Sequence, residues 1–460
     1  MNYEMTAKTF QGLEGVLAEE LRNLGATNVQ EGRRVVTFEG DLATMYRANL
    51  MCRTAIRVLK PFLRLRSTDA NDLYEQLKSF AWEDVMGADD TFSIDVTTFG
   101  TAFNNSRFAT YRIKDAIADH FTELCGKRPS VRLTDAKVRI DAHISEQDVT
   151  LSMDSSGEPL FKRGWRVATV EAPINEALAA GILLLSGWHG QCDLVDPFCG
   201  SGTFLVEAAL IATNTAPGLY RQHYAFQQWA DYDAELFSQI YNDDSGERPF
   251  THKIYGSDNA GKAVAVARAN VKNAQLEEYI SVECRALEDI SEAPAEGGVL
   301  VTNPPYGERL RPDDIAGLYD TLGEKLKHVF RGYHAWVIGA GKETMSHIGL
   351  KPSQRIALNN GGIDCELREY VIFDGKYDDL RRRGEHLTSS RVTTTEHAPR
   401  RPQQRFARID KPRTAEEHHR EGKTPRKQWH GEPRLGADKE VPIVHGRRKS
   451  WKRRDLPPEK

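Results

Sequence analysis

The stretch Leu194-Val195-Asp196-Pro197-Phe198-Cys199-Gly200-Ser201-Gly202-Thr203 constrains this chain more than any other. An apolar pair runs into a Gly-x-Gly turn, and Phe204 to Ala212 (FLVEAALIA) continues with helix-forming composition. Strand, Gly-x-Gly turn and helix make the nucleotide-binding corner of a doubly wound α/β sheet. The glycines let backbone approach a ligand closely. No Lys-Ser/Thr follows, which argues against a P-loop and a triphosphate. The residue entering the turn is Asp196. An acid there repels phosphate but suits a cationic, phosphate-free ligand such as S-adenosylmethionine. Further on, Lys253 to Asp258 (KIYGSD) reads as a second strand ending in an acid. Asp258, with Asn259 beside it, is placed to bind ribose hydroxyls.

A third stretch, VLVTNPPYGERL, supplies the chemistry. Val299, Leu300 and Val301 read as the end of a buried strand. Pro304 and Pro305 then stop the ladder and stiffen the backbone. The strand ends in a rigid loop bearing an amide, Asn303, and a ring, Tyr306. A nucleobase exocyclic amine is a poor nucleophile because its lone pair is delocalised into the ring. The Asn303 side-chain oxygen and the Pro304 carbonyl can each accept one of its N–H bonds, which localises and aims the lone pair. Tyr306 can stack on a base that has left its helix. Alone, these four letters also fit a Pro-rich turn closing a strand. The order of Gly-rich loop, strand-end acid and Asn-Pro-Pro-Tyr is far more specific than any one part.

DPFCGSGT followed by NPPY resembles the class I S-adenosylmethionine-dependent amino-methyltransferases, and NPPYGERL narrows this to bacterial THUMP-bearing RNA guanine-N2 methyltransferases. FNNSRFATYRIKDAIADHF, EPLFKRGWR, APINEALAAGILLLSGW and APGLYRQHYAFQQWADYD agree with that family. The resemblance covers roughly residues 1 to 385. It implies an α/β fold: a Rossmann-like, seven-stranded class I methyltransferase sheet, preceded by α+β ferredoxin-like and THUMP units. The expected domains are 1–60 (ferredoxin-like), 61–165 (THUMP), 166–384 (methyltransferase, with an insertion at 213–252) and 385–460 (a basic, disordered tail). It also implies a cofactor, S-adenosylmethionine, held by Asp196 through Thr203, Asp258, Asn259 and a third acid near the adenine. Asp289 is taken as that acid, since Ala286 stands where some relatives place one. Asn303, Pro304, Pro305 and Tyr306 form the catalytic loop.

The other expectations concern partners. Arg107, Arg112 and Lys114, in a polar, aromatic and basic stretch, are candidate phosphate contacts, although a solvated helix start explains them almost as well. Arg163, in the basic-aromatic turn FKRGWR, and Arg309, after the catalytic loop, are further RNA candidates. That turn could equally touch the cofactor-side loop or be a linker packed by Trp165. A helix is expected over Ala172 to Trp188 with Pro173 in its first turn, and the resemblance implies that its start, with Asn175 and Glu176, faces the cofactor. The aromatic-rich insertion reads as the small core of a lid. From Glu385 onward there are 20 Lys/Arg against 11 Asp/Glu, so within a chain of net charge −4 a basic tail of +9 follows an acidic body of −13.

No run approaches 18 apolar residues, so no membrane span is expected. No basic-then-apolar leader is evident at the start. Six scattered cysteines without a Cys-x-x-Cys pair indicate neither zinc nor disulfides, and a reducing cytoplasm is the simplest reading. A monomer is expected. The function these readings converge on is methyl transfer to a guanosine N2 in RNA, most simply large-subunit ribosomal RNA. Adenine-N6 methylation, transfer RNA as substrate and a non-catalytic RNA-binding assembly factor stay open.

Overall fold

The computed structural model describes residues 2–101, 103, 105–171, 173–306 and 312–373. Among these, two sheets organise the chain. The first is built by β1 (Tyr3–Lys8), α1 (Glu14–Asn23), β2 (Thr27–Gly32), β3 (Val35–Gly40), α2 (Leu42–Met51), β4 (Arg57–Arg66), α3 (Ala70–Lys78), β5 (Thr91–Phe99), α4 (Ser106–Cys125), β6 (Ser130–Val131), β7 (Val138–Ser145) and β8 (Asp148–Asp154). Its strand order is β2-β3-β1-β4-β8-β7-β5-β6.

One sheet therefore runs through both N-terminal units, and its join is β4. Thr6 of β1 pairs with Leu59, while Arg66 at the other end pairs with Asp148 of β8. The expected boundary at residues 60 and 61 falls inside this strand. Pro61 is what hides β4 in the sequence, since proline cannot donate to a ladder. The chain accommodates it with a register shift between Pro61 and Leu63.

The second sheet follows α5 (Glu176–Leu185). It comprises β9 (Leu194–Asp196), α6 (Thr203–Ala212), α7 (Ala234–Tyr241), β10 (Ile254–Asp258), α8 (Gly261–Asn273), β11 (Ile280–Cys284), β12 (Gly298–Thr302), α9 (Pro312–His328), β13 (Tyr333–Gly339), α10 (Lys342–Ser346), β14 (Gln354–Asn360) and β15 (Ile363–Val371). The order is β11-β10-β9-β12-β13-β15-β14. β9 to β13 are parallel, and β15 is antiparallel to both its neighbours. The order reverses at β9, whose neighbours are β10 and β12, so a crevice opens at the carboxyl ends of these three strands. This is the expected α/β fold with its seven-stranded, Rossmann-like sheet. No described helix is long and apolar enough to cross a membrane.

Two expectations fail here for packing reasons. Helix α5 begins at Glu176, three residues beyond Pro173, because the Asn175 side chain accepts from Ala177 N (2.9 Å) and Leu178 N and caps it there. The insertion is not a self-contained lid core. Its Phe226 stacks on Tyr46 of α2 with centroids 4.5 Å apart, Phe237 meets the same ring edge-on at 5.5 Å, and Asp233 N donates to Tyr46 Oη at 2.9 Å. Its aromatics fasten the methyltransferase half to the first sheet.

Arg163 lies at the same seam, and its assignment to RNA is corrected. It is 2% exposed. It pairs with Glu207 of α6 and donates to the carbonyls of Leu160 (3.0 Å) and Arg53 (2.5 Å). Trp165 Nε1 also donates to Glu207. A buried carboxylate on an otherwise apolar helix must be met by donors, and Arg163 is that partner. Arg309 and the tail at 385–460 lie outside the described residues.

Candidate active site

The Gly-rich turn joins β9 to α6 at the crevice. Gly200 and Gly202 have φ of +52° and +80°, a region L side chains rarely adopt. A Cβ on Gly202 would stand 3.2 Å from Ala267 Cβ, and one on Gly256 of β10 would stand 2.4 Å from Leu205 Cδ1. The glycines thus let the turn, α8 and β10 close together around a backbone cradle.

Nearly every polar group of that cradle is engaged. Asp258 Oδ2 accepts from Gly200 N at 3.0 Å and Oδ1 from Ala260 N at 2.9 Å, while Cys199 N donates to Ser257 O at 2.9 Å. The acid at the end of β10 is therefore held by backbone donors beside the turn, with lone pairs to spare. Asn259 directly follows β10 and Asp289 lies five residues beyond β11, and both are exposed.

Two residues not singled out from sequence hold the turn from outside. Arg166 donates Nε to Glu176 Oε1 (2.7 Å), Nη1 to Ser201 Oγ (2.7 Å) and Nη2 to Thr203 Oγ1 (2.9 Å). Asn270 of α8, fully buried, donates to Ser201 O (2.9 Å) and Ala168 O (3.0 Å) and accepts from Val167 N and Ala168 N. Arg166 belongs to the basic-aromatic turn, so of the alternatives left open there, this arginine takes the cofactor-side loop. Asn270 carried a legible signal: an amide on the buried face of an amphipathic helix needs partners. Glu176 is buried and ion-paired to Arg166, and Asn175 is spent capping α5.

Asp196 is 1% exposed. Its Oδ1 accepts from Phe198 N (3.1 Å) and from Thr302 Oγ1 (2.7 Å). Burial pushes its carboxyl up to about 7 against the lowering effect of the Thr302 hydrogen bond. Thr302 is the last residue of β12, so this bond ties the cofactor strand to the strand that carries the amino loop. Cys199 is buried and its thiol is pushed well up by burial, as befits a packing residue.

The loop Asn303-Pro304-Pro305-Tyr306 follows directly. Asn303 Oδ1 is buried and has no hydrogen-bond partner among the described residues. A native structure rarely leaves a buried acceptor unmet without a use for it. Pro305 stiffens the loop without a donor of its own. Tyr306 differs from expectation. Its ring is 5% exposed, packed in the core with Leu358, Cys365 and Leu367, and its hydroxyl accepts from Asn360 Nδ2 at 2.7 Å. As placed, this ring offers no open face to a base, because hydrophobic burial and a hydrogen bond both hold it inward.

Of the RNA candidates on α4, Arg107 is exposed. Arg112 is engaged instead, donating to Ala70 O (3.3 Å) and Asn71 Oδ1 (3.0 Å) with its guanidinium 4.2 Å from the Tyr74 ring centroid. It fastens α4 to α3. Lys114 is partly exposed and pairs with Asp115 at 3.0 Å. Helix α4 starts at Ser106, because Asn105 accepts from Phe108 N and caps it. Among the described residues no cluster of His, Cys, Asp or Glu could hold a metal ion.

Comparison with known proteins adds the following. Residues 4–59 match the RlmL ferredoxin-like domain, 67–154 the THUMP domain, and 163–369 the RMKL-like methyltransferase domain. The chain is 38% identical over 370 residues to slr0064 of Synechocystis sp. (strain PCC 6803), which carries the name "Putative RNA methyltransferase"; the match covers 80% of this chain and 96% of that protein. It is 40% identical over 380 residues to "Ribosomal RNA large subunit methyltransferase K/L" of Syntrophotalea carbinolica, covering 80% of this chain and 53% of that protein. This chain thus spans about half the length of the K/L relatives. Among solved structures, SMU.472, described as "a putative methyltransferase complexed with SAH", superposes with a TM-score of 0.73 at 28% identity over 82% of this chain and 99% of that one.

Proposed function

The chain belongs to the family of methyltransferases in which an RlmL ferredoxin-like domain and a THUMP domain precede an RMKL-like methyltransferase domain, and from that premise we propose that it methylates the exocyclic N2 amine of a guanosine in RNA, with large-subunit ribosomal RNA as the substrate. The observation that carries this reading is the orphaned Asn303 Oδ1. It is an acceptor already desolvated, next to the Pro304 carbonyl, at the carboxyl end of a strand beside the Gly-rich turn. Two acceptors there suit the two N–H bonds of one amine. An acceptor fixed before the substrate arrives need not reorganise during the reaction.

The cofactor is S-adenosylmethionine, which supplies a methyl group on a sulfonium. The cradle fits it: backbone brought close by Gly200, Gly202 and Gly256, Asp258 for ribose hydroxyls, Asn259 beside it, Asp289 toward the adenine, and no lysine for phosphate. Asp196 places a carboxylate next to a positively charged ligand. Asn303 and Pro304 orient the amine, while Tyr306, held in the core, anchors the loop that carries them. After attack the amine, now carrying the methyl group, loses one of its own N–H protons. Arg107 and Lys114 meet RNA phosphates. The enzyme works as a monomer in the cytoplasm, where its cysteines, all free among the described residues, stay reduced.

The test is methyl transfer from labelled S-adenosylmethionine to unmodified ribosomal and transfer RNA, read by nucleoside mass spectrometry. The expected product is N2-methylguanosine in large-subunit RNA, absent with Asn303→Ala. N6-methyladenosine would keep the mechanism and move the substrate to adenine. No transfer to any RNA, with cofactor still bound, would overturn the reading.

A further inference from the structure

The catalytic loop is gripped from a part of the sheet that plays no part in the cofactor corner. Asn360 ends β14, and Gly361 and Gly362, with φ of +61° and +93°, turn the chain into β15. The Asn360 side chain donates Nδ2–H to Tyr306 Oη at 2.7 Å, and Cys365 Sγ of β15 points to the same oxygen at 3.7 Å. Tyr306 is three residues from Asn303, with two prolines between. Two prolines transmit position well, because each fixes its own φ and restricts the residue before it. Whatever holds Tyr306 therefore also sets where Asn303 Oδ1 and the Pro304 carbonyl stand.

We propose that Asn360 is a positioning residue for the amine-binding loop, acting through the Tyr306 hydroxyl and touching neither substrate nor cofactor. This rests on the amine-methylation reading for its catalytic consequence but not for its structural one. Misplacing a reacting group by a small distance lowers the rate without changing affinity for the cofactor. The antiparallel β14–β15 hairpin thus takes part in the site through the Tyr306 hydroxyl.

Three variants test this. Asn360→Leu keeps the volume and removes the donor; kcat falls roughly three- to tenfold, the range set by one neutral hydrogen bond, with cofactor Kd unchanged. Asn360→Asp recovers most of that loss, because the Tyr306 hydroxyl then donates to the carboxylate. In a Tyr306→Phe background Asn360→Leu has no further effect, since its partner is already gone. Amide hydrogen exchange of peptides spanning 299–306 is faster in Asn360→Leu than in wild type. Additive losses in the double variant, or unchanged kcat in Asn360→Leu, would overturn the catalytic role. Unchanged exchange would overturn the positioning itself, even if the wild type transferred no methyl group and the amine-methylation reading failed.

Discussion

The Gly-rich turn and the Asn-Pro-Pro-Tyr loop leave neighbouring strands of one sheet, yet they are finished to different degrees. Asp196, Ser201, Thr203 and Asp258 in and around the turn all have partners, supplied by Arg166, Asn270, Thr302 and backbone N–H groups. The loop keeps a buried acceptor without one among the described residues, and a tyrosine turned inward. The cofactor half of the site is complete in the free protein, while the substrate half is arranged for a group that comes from outside. Damage to the two halves should therefore be read by different measurements.

The largest effect belongs to the loop. Asn303→Ala should lower kcat about 10²- to 10³-fold, the usual loss when one preorganised polar group is removed from a reacting centre. Its melting temperature should stay level or rise, because an unmet buried polar atom is deleted with the side chain. A clear fall in stability, measured by thermal unfolding, would mean that Asn303 is structural after all.

Arg166→Met attacks the other half. It strands Glu176, which is 8% exposed, and frees two hydroxyls of the turn. Breaking a buried ion pair from one side costs about 3 kcal/mol, so denaturant unfolding should show a loss of that order. Calorimetry should find cofactor affinity at least tenfold weaker. If kcat fell while cofactor Kd stayed unchanged, the proposed division between the halves would not hold.

Smaller effects belong to the bond that joins the halves. Thr302→Val removes the hydrogen bond that holds the Asp196 carboxyl down. Its titration should move further above 7, with a stability change of about 1 kcal/mol. In the wild type the raised carboxyl implies a sign. Stability from Asp196 is fully present below about pH 4, its ordinary value, and is lost as pH rises through about 7. Affinity for a cationic sulfonium should move the other way, tightening as Asp196 ionises near pH 7. Calorimetry from pH 6 to 8 should find a steeper gain for S-adenosylmethionine than for its neutral thioether product. Equal slopes for the two would mean that the carboxylate does not face the sulfonium.

Much of the second sheet was legible because its signals are local. β10 ends in Asp258, the acid expected to close it, and the order of Gly-turn, strand-end acid and amino loop announces the reversal point. The first sheet was less so. Pro61 disguised β4, and the exposed, polar β2 shows no alternation to read. FKRGWR is the sharpest case, since Arg163 and Arg166 lie three residues apart with similar letters around them. One is sealed against Glu207 and the other braces the turn, and only the position of α6 separates their roles. The insertion's aromatics were recognised as packing residues, but their partner, Tyr46, is 180 residues before Phe226 in the chain.

The sequence by itself determined the strand-turn-helix corner, the acids at two strand ends and the stiff loop with its amide, since each depends on neighbours within a few residues and on backbone limits set by glycine and proline. Tertiary structure alone decided which groups are satisfied. It gave Glu207 an arginine, the turn two braces, Tyr306 an asparagine from the far hairpin, and Asn303 Oδ1 no partner among the described residues. Hydrogen bonds in a folded chain join residues far apart in sequence, and burial decides which of the unmet ones matter.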